Sequence, residues 1–275
     1  MKNLKKLTID ENYFYLNIIK SKHRKRKHSL SILSQIVKNR YEEFEQLVKN
    51  SDLSRIKKEN FTLLEKEALL HLYNQPTIQL NNLKKEIKRS QCEFYSTHCP
   101  YCGLYHSDTF DHYLYKEEFP EFAIYSQNLI PSCSRCNRKK NTKWIKDSIR
   151  QYIYFYADKI PTVQFLFCSI AVTSDFLITR FYVDTKNCSN TIEKIIVENH
   201  FANLDLIEMY EENCNSFLSE RKNTIKKYFS GTLAELKEIM KSDLEEYILK
   251  FGLNNWQSVL LDELIKQDDI LSTWI

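Results

Sequence analysis

Glycine is nearly absent from this chain of 275 residues; Gly103, Gly231 and Gly252 are its only three. The phosphate turns of Rossmann and P-loop sites need clustered glycines, so both nucleotide-binding classes are excluded. Long apolar runs are missing as well. The most apolar stretch, residues 163–172, is too short to span a bilayer. No apolar signal-type segment follows the basic N-terminus, so the expectation is a cytoplasmic protein with no membrane association. In a reducing compartment, paired cysteines read as metal ligands rather than as disulfides.

Charge of one sign is only mildly in excess. The net charge of +4 does not by itself identify a nucleic-acid partner. Its distribution says more. Residues 20–28 read K-S-K-H-R-K-R-K-H and residues 135–143 read R-C-N-R-K-K-N-T-K. Such runs can neutralise phosphates, with a strong salt dependence. For the first run, a solvated face or flexible arm is an equal alternative. The second abuts a cysteine cluster, and there Arg135, Arg138, Lys139, Lys140 and Lys143 are candidate phosphate contacts.

Helical spacing dominates the first third. Leu30, Leu33, Val37, Tyr41, Phe44 and Val48 recur on one face, with Ser29 as a candidate N-cap. A second run carries Leu63, Leu64, Leu69, Leu70 and Leu72 as a core face and is interrupted by Pro76. Thr77 then caps a helix bearing Leu80, Leu83 and Ile87. Residues 143–156 are expected to form an aromatic-rich helix. After Pro161 two β-prone segments, 164–172 and 176–184, read as a hairpin turning at Thr173-Ser-Asp. Helical pattern resumes at Thr191 and runs through Leu204, Ile207, Tyr210, Phe217 and Leu218, then Leu233, Leu236, Met240, Leu244 and Ile248. The terminal Trp274-Ile275 reads as a frayed end or a docking tail. The fold class expected is α+β, a mostly helical chain divided into residues 1–92, 93–156 and 157–275. A boundary near residues 156–161 is compatible with one shared core.

What the chain does have is two Cys-x-x-Cys pairs, Cys99/Cys102 and Cys133/Cys136. Each pair places two sulfurs on one tight turn, and two pairs about thirty residues apart can close a tetrahedral Zn²⁺ site. Four cysteines leave no open position for water, so this zinc would be structural. Cys92 is a weak rival ligand; Cys168, Cys188 and Cys214 read as buried or incidental thiols. His98 and His106 are nearby without a favoured role.

Asp111-His112 lies between the pairs. Consecutive residues on a strand face opposite ways, so the carboxylate can meet a metal and the imidazole a water. His112 suits a general base because its intrinsic pKa is near neutrality. Asn128 either fixes the His112 ring through its side chain or caps a turn. Asn137 follows a cysteine ligand; it either begins a helix or joins Asp111 in binding Mg²⁺ through oxygen.

Five segments, Cys99-Pro-Tyr-Cys102-Gly103, Thr109-Phe-Asp-His-Tyr-Leu-Tyr-Lys116, Phe119-Pro-Glu-Phe122, Asn128-Leu-Ile-Pro131 and Cys133-Ser-Arg-Cys-Asn-Arg-Lys-Lys140, together resemble the HNH, or ββα-metal, endonuclease family in its zinc-stapled subgroup. The resemblance covers residues 99–143. It implies a central ββα-metal core in which Asp111 and Asn137 hold a catalytic Mg²⁺ or Mn²⁺, His112 activates water, Asn128 orients His112 and the four cysteines hold Zn²⁺. The subgroup usually has proline where this chain has Tyr115, which implies altered loop stiffness. The wider layout resembles the HNH nuclease subunits of Septu-type and retron-associated anti-phage systems. That resemblance implies an ATPase partner subunit and a DNA substrate, with RNA such as tRNA still open. Two rivals stand beside it. One is a non-catalytic zinc module that docks nucleic acid or protein. The other is a stand-alone restriction or homing nuclease, for which no base-reading element is visible. The hairpin and C-terminal helices serve as scaffold or as the partner's docking surface.

Overall fold

Asp10 accepts a hydrogen bond from the Tyr13 N–H at 2.9 Å and so starts the first helix, α1 (Glu11–Lys20). The helical stripe that follows becomes α2 (Arg24–Lys49), with Leu30, Leu33, Val37, Tyr41, Phe44 and Val48 all buried. It begins earlier than the sequence suggests. Ser29 lies inside the helix and bonds back to the Lys25 carbonyl, while His23 occupies the cap position. Residues 24–27 are therefore helical and exposed rather than a loose arm. Thr62 builds a capping box with Glu65 at the head of α3 (Leu63–Asn74). Leu63 and Leu64 fall on its open side, 80% and 79% exposed, so they are not core as expected; Leu69 and Leu72 are. Thr77 caps α4 (Ile78–Arg89), which buries Leu80, Leu83 and Ile87 as expected.

The computed structural model describes residues 1–159, 162–173 and 177–275 of this mixed helix-and-sheet chain. The residues at 160–161 and 174–176, including Pro161 and most of the expected hairpin turn, lie outside that description. The chain divides into two compact units, Asn3–Asp158 and Met1–Lys2 with Lys159–Ile275. Residues 3–92 and the cysteine segment thus share one unit.

In the first unit, β1 (Thr109–His112) and β2 (Leu129–Ser132) pair antiparallel, with Asp111 opposite Ile130 and His112 opposite Leu129. A short helix, α5 (Ser134–Lys140), follows β2. Residues 143–156 do not form the expected helix. They fold into a small ribbon of β3 (Ile145–Lys146) and β4 (Ile149–Arg150). Asp147 and Ser148 make its turn with φ of 50° and 63°. Tyr152, Ile153, Tyr154, Phe155 and Tyr156 are all buried in succession. A helix packed on one face could not bury five consecutive side chains.

Rings from α2 grip the loop between β1 and β2. Tyr41 stacks on Tyr125 at 4.3 Å, and Phe44 meets Phe122 at 5.3 Å. The Arg40 Nε donates to Glu121 Oε1 at 2.9 Å, and its guanidinium lies 5.4 Å from the Phe122 ring. Glu11 reaches the far end of the same loop, where its carboxylate accepts from the Ser126 hydroxyl. Burial pushes the Glu11 carboxyl up to about 7, against the ordinary 4.5. The folded state then holds its proton more tightly than the unfolded one. The associated stability is full below about pH 4.5 and is lost as pH rises towards 7. Between pH 5 and 8 this amounts to a loss of up to about 3 kcal/mol. Glu11→Gln is expected to remove that slope from the pH dependence of urea unfolding; an unchanged slope would rule Glu11 out.

The second unit contains the expected hairpin, β5 (Leu166–Val172) with β6 (Leu177–Val183), antiparallel with Leu166 opposite Val183. Helices α6 (Thr191–Leu204), α7 (Leu206–Tyr228), α8 (Leu233–Phe251), α9 (Trp256–Ile265) and α10 (Asp268–Ser272) complete it. Asn254 is fully buried and accepts from the Phe165 and Leu166 N–H groups at 2.8 and 3.1 Å, which fastens the start of β5. Gly252 has φ 90°, and a Cβ there would meet the Met1 carbonyl oxygen at 2.2 Å. Trp274 is 2% exposed and so is packed rather than frayed. Among the described residues, no helix is long and apolar enough to cross a membrane.

Candidate metal centre and adjoining cleft

The four expected cysteines come together. Cys99, Cys102, Cys133 and Cys136 are buried, and their sulfurs lie within 4.8 Å of one another. A zinc ion with bonds of about 2.3 Å needs tetrahedral sulfurs about 3.8 Å apart, and Cys102 and Cys133 already lie at 4.0 Å. The donor set therefore fits zinc. Local turns make the arrangement. Gly103 has φ 61° immediately after Cys102. Cys133 is the N-cap of α5, its sulfur accepting from the Cys136 N–H at 3.4 Å. Burial pushes the Cys99 thiol well up. The thiols of Cys102, Cys136 and Cys99 aimed at Cys133 hold that one well below its usual range. A cation would favour all four thiolates together, with release of their protons. The rival ligand Cys92 is exposed and outside the group. His98 and His106 face each other, with ring centroids 4.6 Å apart, and are outside it too.

Beside this centre is a cleft of about 680 Å³ whose walls include Asp111, His112, Tyr115, Asn137 and Arg138. Tyr73 and Lys84, from α3 and α4, also line it. Asp111 and His112 do diverge in their partners. Asp111 is 3% exposed; its Oδ2 accepts from the Tyr101 hydroxyl at 2.7 Å and from Lys140 Nζ at 2.9 Å, and its Oδ1 from Lys140 Nζ at 3.1 Å. A carboxylate has about four acceptor positions, so one remains, on Oδ1. Burial pushes Asp111 up and Lys140 down, and each partner's charge opposes the shift.

His112 donates from Nε2 to the Ala123 carbonyl at 2.9 Å, which leaves Nδ1 as the proton acceptor of the neutral ring. Tyr73 meets that ring edge-on at 4.3 Å. Burial pushes the His112 pKa down to about 3, opposed by the Ala123 bond and helped by the charges of Lys116, Lys140 and Lys84. The ring is therefore unprotonated at neutral pH.

Asn128 does not touch His112 with its side chain. Its Oδ1 accepts from the Leu114 N–H at 2.7 Å, and its Nδ2 donates to the carbonyls of Leu114 and Phe122 at 3.1 and 3.2 Å. It holds the backbone on both sides of the histidine's bond: Leu114 lies two residues after His112, and Phe122 precedes Ala123. Asn128→Ala would strand two buried backbone groups, the Leu114 N–H and carbonyl, while the Phe122 carbonyl keeps the Tyr125 N–H at 3.2 Å. A loss of about 2 kcal/mol or more is expected by chemical denaturation; a loss under 1 kcal/mol would mean that water replaces the amide.

Asn137 Nδ2 donates to the Thr109 hydroxyl at 3.1 Å, leaving its Oδ1 for another partner. Of the candidate phosphate contacts, Arg138 and Lys143 are exposed and Arg135 and Lys139 half-buried. Lys140 is a correction: it is fully buried, bound to Asp111 and the His112 carbonyl, and presents no surface charge. Arg40, Tyr73, Lys84 and Tyr101 were not found by sequence reasoning. Tyr101 stands inside the first Cys-x-x-Cys pair at a position the motif does not specify; the other three stand in no motif, and their proximity arises from packing.

Fold and centre together define a helix-rich α+β protein with a buried four-cysteine cluster able to hold a zinc ion. The chain is similar to protein Ea31 of Escherichia phage lambda, with 29% identity over 185 residues, covering 62% of this chain and 62% of that protein. It thus spans less than two thirds of the curated relative. No family model matches the chain, and no solved structure does.

Proposed function

We propose that this protein is a cytoplasmic, metal-dependent HNH endonuclease that hydrolyses phosphodiester bonds of nucleic acid, and that it works with an ATPase partner in anti-phage defence. The observation that carries the reading is one cleft walled by Asp111, His112 and Asn137, on a β-hairpin and the helix that a cysteine of the four-sulfur cluster caps. The defence role and the ATPase rest on the resemblance in layout alone.

Asp111 Oδ1 and Asn137 Oδ1 supply two hard oxygen donors, a set that suits a cation which keeps most of its waters. When bound, Mg²⁺ or Mn²⁺ would stabilise charge on the scissile phosphate and the leaving oxygen. His112 is neutral, with Nδ1 open to take a proton from the attacking water. A pKa of about 3 makes it a weak base on its own. A phosphodiester brings negative charge beside the ring and draws that pKa back up. Asn128 and Ala123 keep the ring's orientation, and Arg138, Lys116 and Lys84 on the cleft wall would face a bound phosphate.

One observation favours a second reading. The Asp111 carboxylate is largely committed to Lys140 and Tyr101, as suits a structural residue in a non-catalytic zinc module. Purified protein incubated with supercoiled plasmid and with total RNA separates the two. The nuclease reading expects cleavage that requires Mg²⁺ or Mn²⁺ and stops with EDTA, and the polymer cut names the substrate. A folded, zinc-loaded protein that cuts neither polymer, alone or coexpressed with an ATPase partner, would favour the module.

A further inference from the structure

We propose that nucleic acid reaches the cleft along a second cationic surface outside the cysteine segment, formed by Arg24, Lys25 and Lys27 on the first turns of α2 and continued by Lys84 and Lys88 on α4. The identity of the ligand rests on the nuclease reading; the surface itself does not. Residues 20–28 contain no acidic side chain. Arg24, Lys25 and Lys27 are exposed, and among the described residues none of them pairs with a carboxylate.

The start of α2 is fixed in place against the end of α3. Arg26 Nη1 donates to His71 Nε2 at 2.8 Å, and Lys22 Nζ donates to the Gln75 carbonyl at 2.7 Å. The same last turn of α3 carries Tyr73, whose ring lies edge-on to His112. Lys84 places its ammonium 3.9 Å from the Tyr73 ring centroid. Lys84, on the cleft wall, lies 5.8 Å from the Phe110 ring; Lys88 lies 5.6 Å from the same ring and also donates to the Ser107 carbonyl. Contacts of Arg26 and Lys22 with α3, and of Tyr73 with His112, thus place the start of α2 and the candidate general base against the same last turn of α3. A helix is about 10–12 Å wide. At about 3.4 Å rise per nucleotide, crossing one helix of that width takes roughly three nucleotides of one strand.

The cations are crowded in a way an anion would relieve. The first turn of α2 holds no acidic residue, and cations at a helix N-terminus oppose the macrodipole. Burial and the charges of Arg26 and Lys22 push the His71 pKa down. Burial and Arg26 do the same to Lys22. Phosphates bound along this surface would offset that repulsion.

The test is fluorescence-anisotropy binding of labelled duplex DNA, single-stranded DNA and RNA to the full chain, with no added divalent metal and across a salt series. The variant Arg24→Ala/Lys25→Ala/Lys27→Ala changes only exposed side chains. A triple of exposed lysines on α7, Lys222→Ala/Lys226→Ala/Lys227→Ala, serves as a charge-matched control. The proposal expects the first triple to weaken binding about tenfold at moderate salt and to lower the log–log salt slope by about 2–3, with a much smaller change in the control. Wild-type affinity and slope in the first triple, or equal losses in both triples, would overturn it, as would a wild type that binds none of the three probes. Cleavage is read separately. A protein that cuts while the first triple binds like wild type would sink this surface alone. Binding through the surface with no cleavage, alone or coexpressed with an ATPase partner, would support it and sink the nuclease reading alone.

Discussion

His112→Ala is expected to lower metal-dependent cleavage about 10²–10⁴-fold, the usual contribution of a positioned general base. The change should leave the four-cysteine centre loaded, because no atom of His112 belongs to it. It removes one hydrogen bond to Ala123 and the edge contact with Tyr73, so a stability cost of about 1–3 kcal/mol is expected alongside. Zinc content and a melting curve for the variant keep the two effects apart. His112→Asn retains a polar side chain at the site and should be equally inactive, with less loss of stability. Cleavage by either variant at the wild-type rate would remove His112 from the mechanism.

Cys133→Ser is the second large effect. Serine retains the ability to cap α5, so the substitution isolates the sulfur's role as a ligand. Zinc in small metal-folded peptides is associated with about 10–16 kcal/mol of apparent binding energy. The cysteine segment here is also covered by α2, so only part of that is expected to appear. Loss of at least about 4 kcal/mol, or roughly 10 °C in melting temperature, is expected, with metal content falling from one ion per chain to near zero. Cys92→Ser, exposed and outside the cluster, should change neither. A Cys133→Ser protein that retains its zinc and melting temperature would show that the cluster is not a four-thiolate site.

The parts legible in the sequence were those whose chemistry is local. Two Cys-x-x-Cys turns need only their own few residues to place their sulfurs, and the four sulfurs did meet. Thr77 and the stripe of α4 were legible for the same reason, since capping and helical period act within one or two turns. The parts that were not legible depend on what packs above them. Lys140 stands in a basic run and reads as a surface charge; only the tertiary fold turns it inward to Asp111. Leu63 and Leu64 read as core because leucine usually is, yet the face that α3 buries is set by Leu69 and Leu72. The aromatic run 152–156 fits a helix until its five side chains are seen to be buried on all sides. Asn128 was expected at the histidine and instead holds the backbone on both sides of that ring's bond. A single chain says nothing of such an indirect arrangement, because backbone partners leave no residue-type signature.

Arg40 and Glu121 have a consequence for how this chain can be cut and reused. They are 81 positions apart, and their pair is nearly sealed from solvent, with one Glu121 oxygen having no hydrogen-bond partner at all. Remove α2, and the loop that carries Ala123 keeps a buried carboxylate with no counter-charge and loses the cover over Phe122 and Tyr125. The motif-bearing stretch is therefore not portable. Grafted into another scaffold by its five conspicuous segments, it would arrive without the guanidinium and the two rings that keep its histidine's anchor in position, and its smallest transplantable form reaches back to at least residue 40.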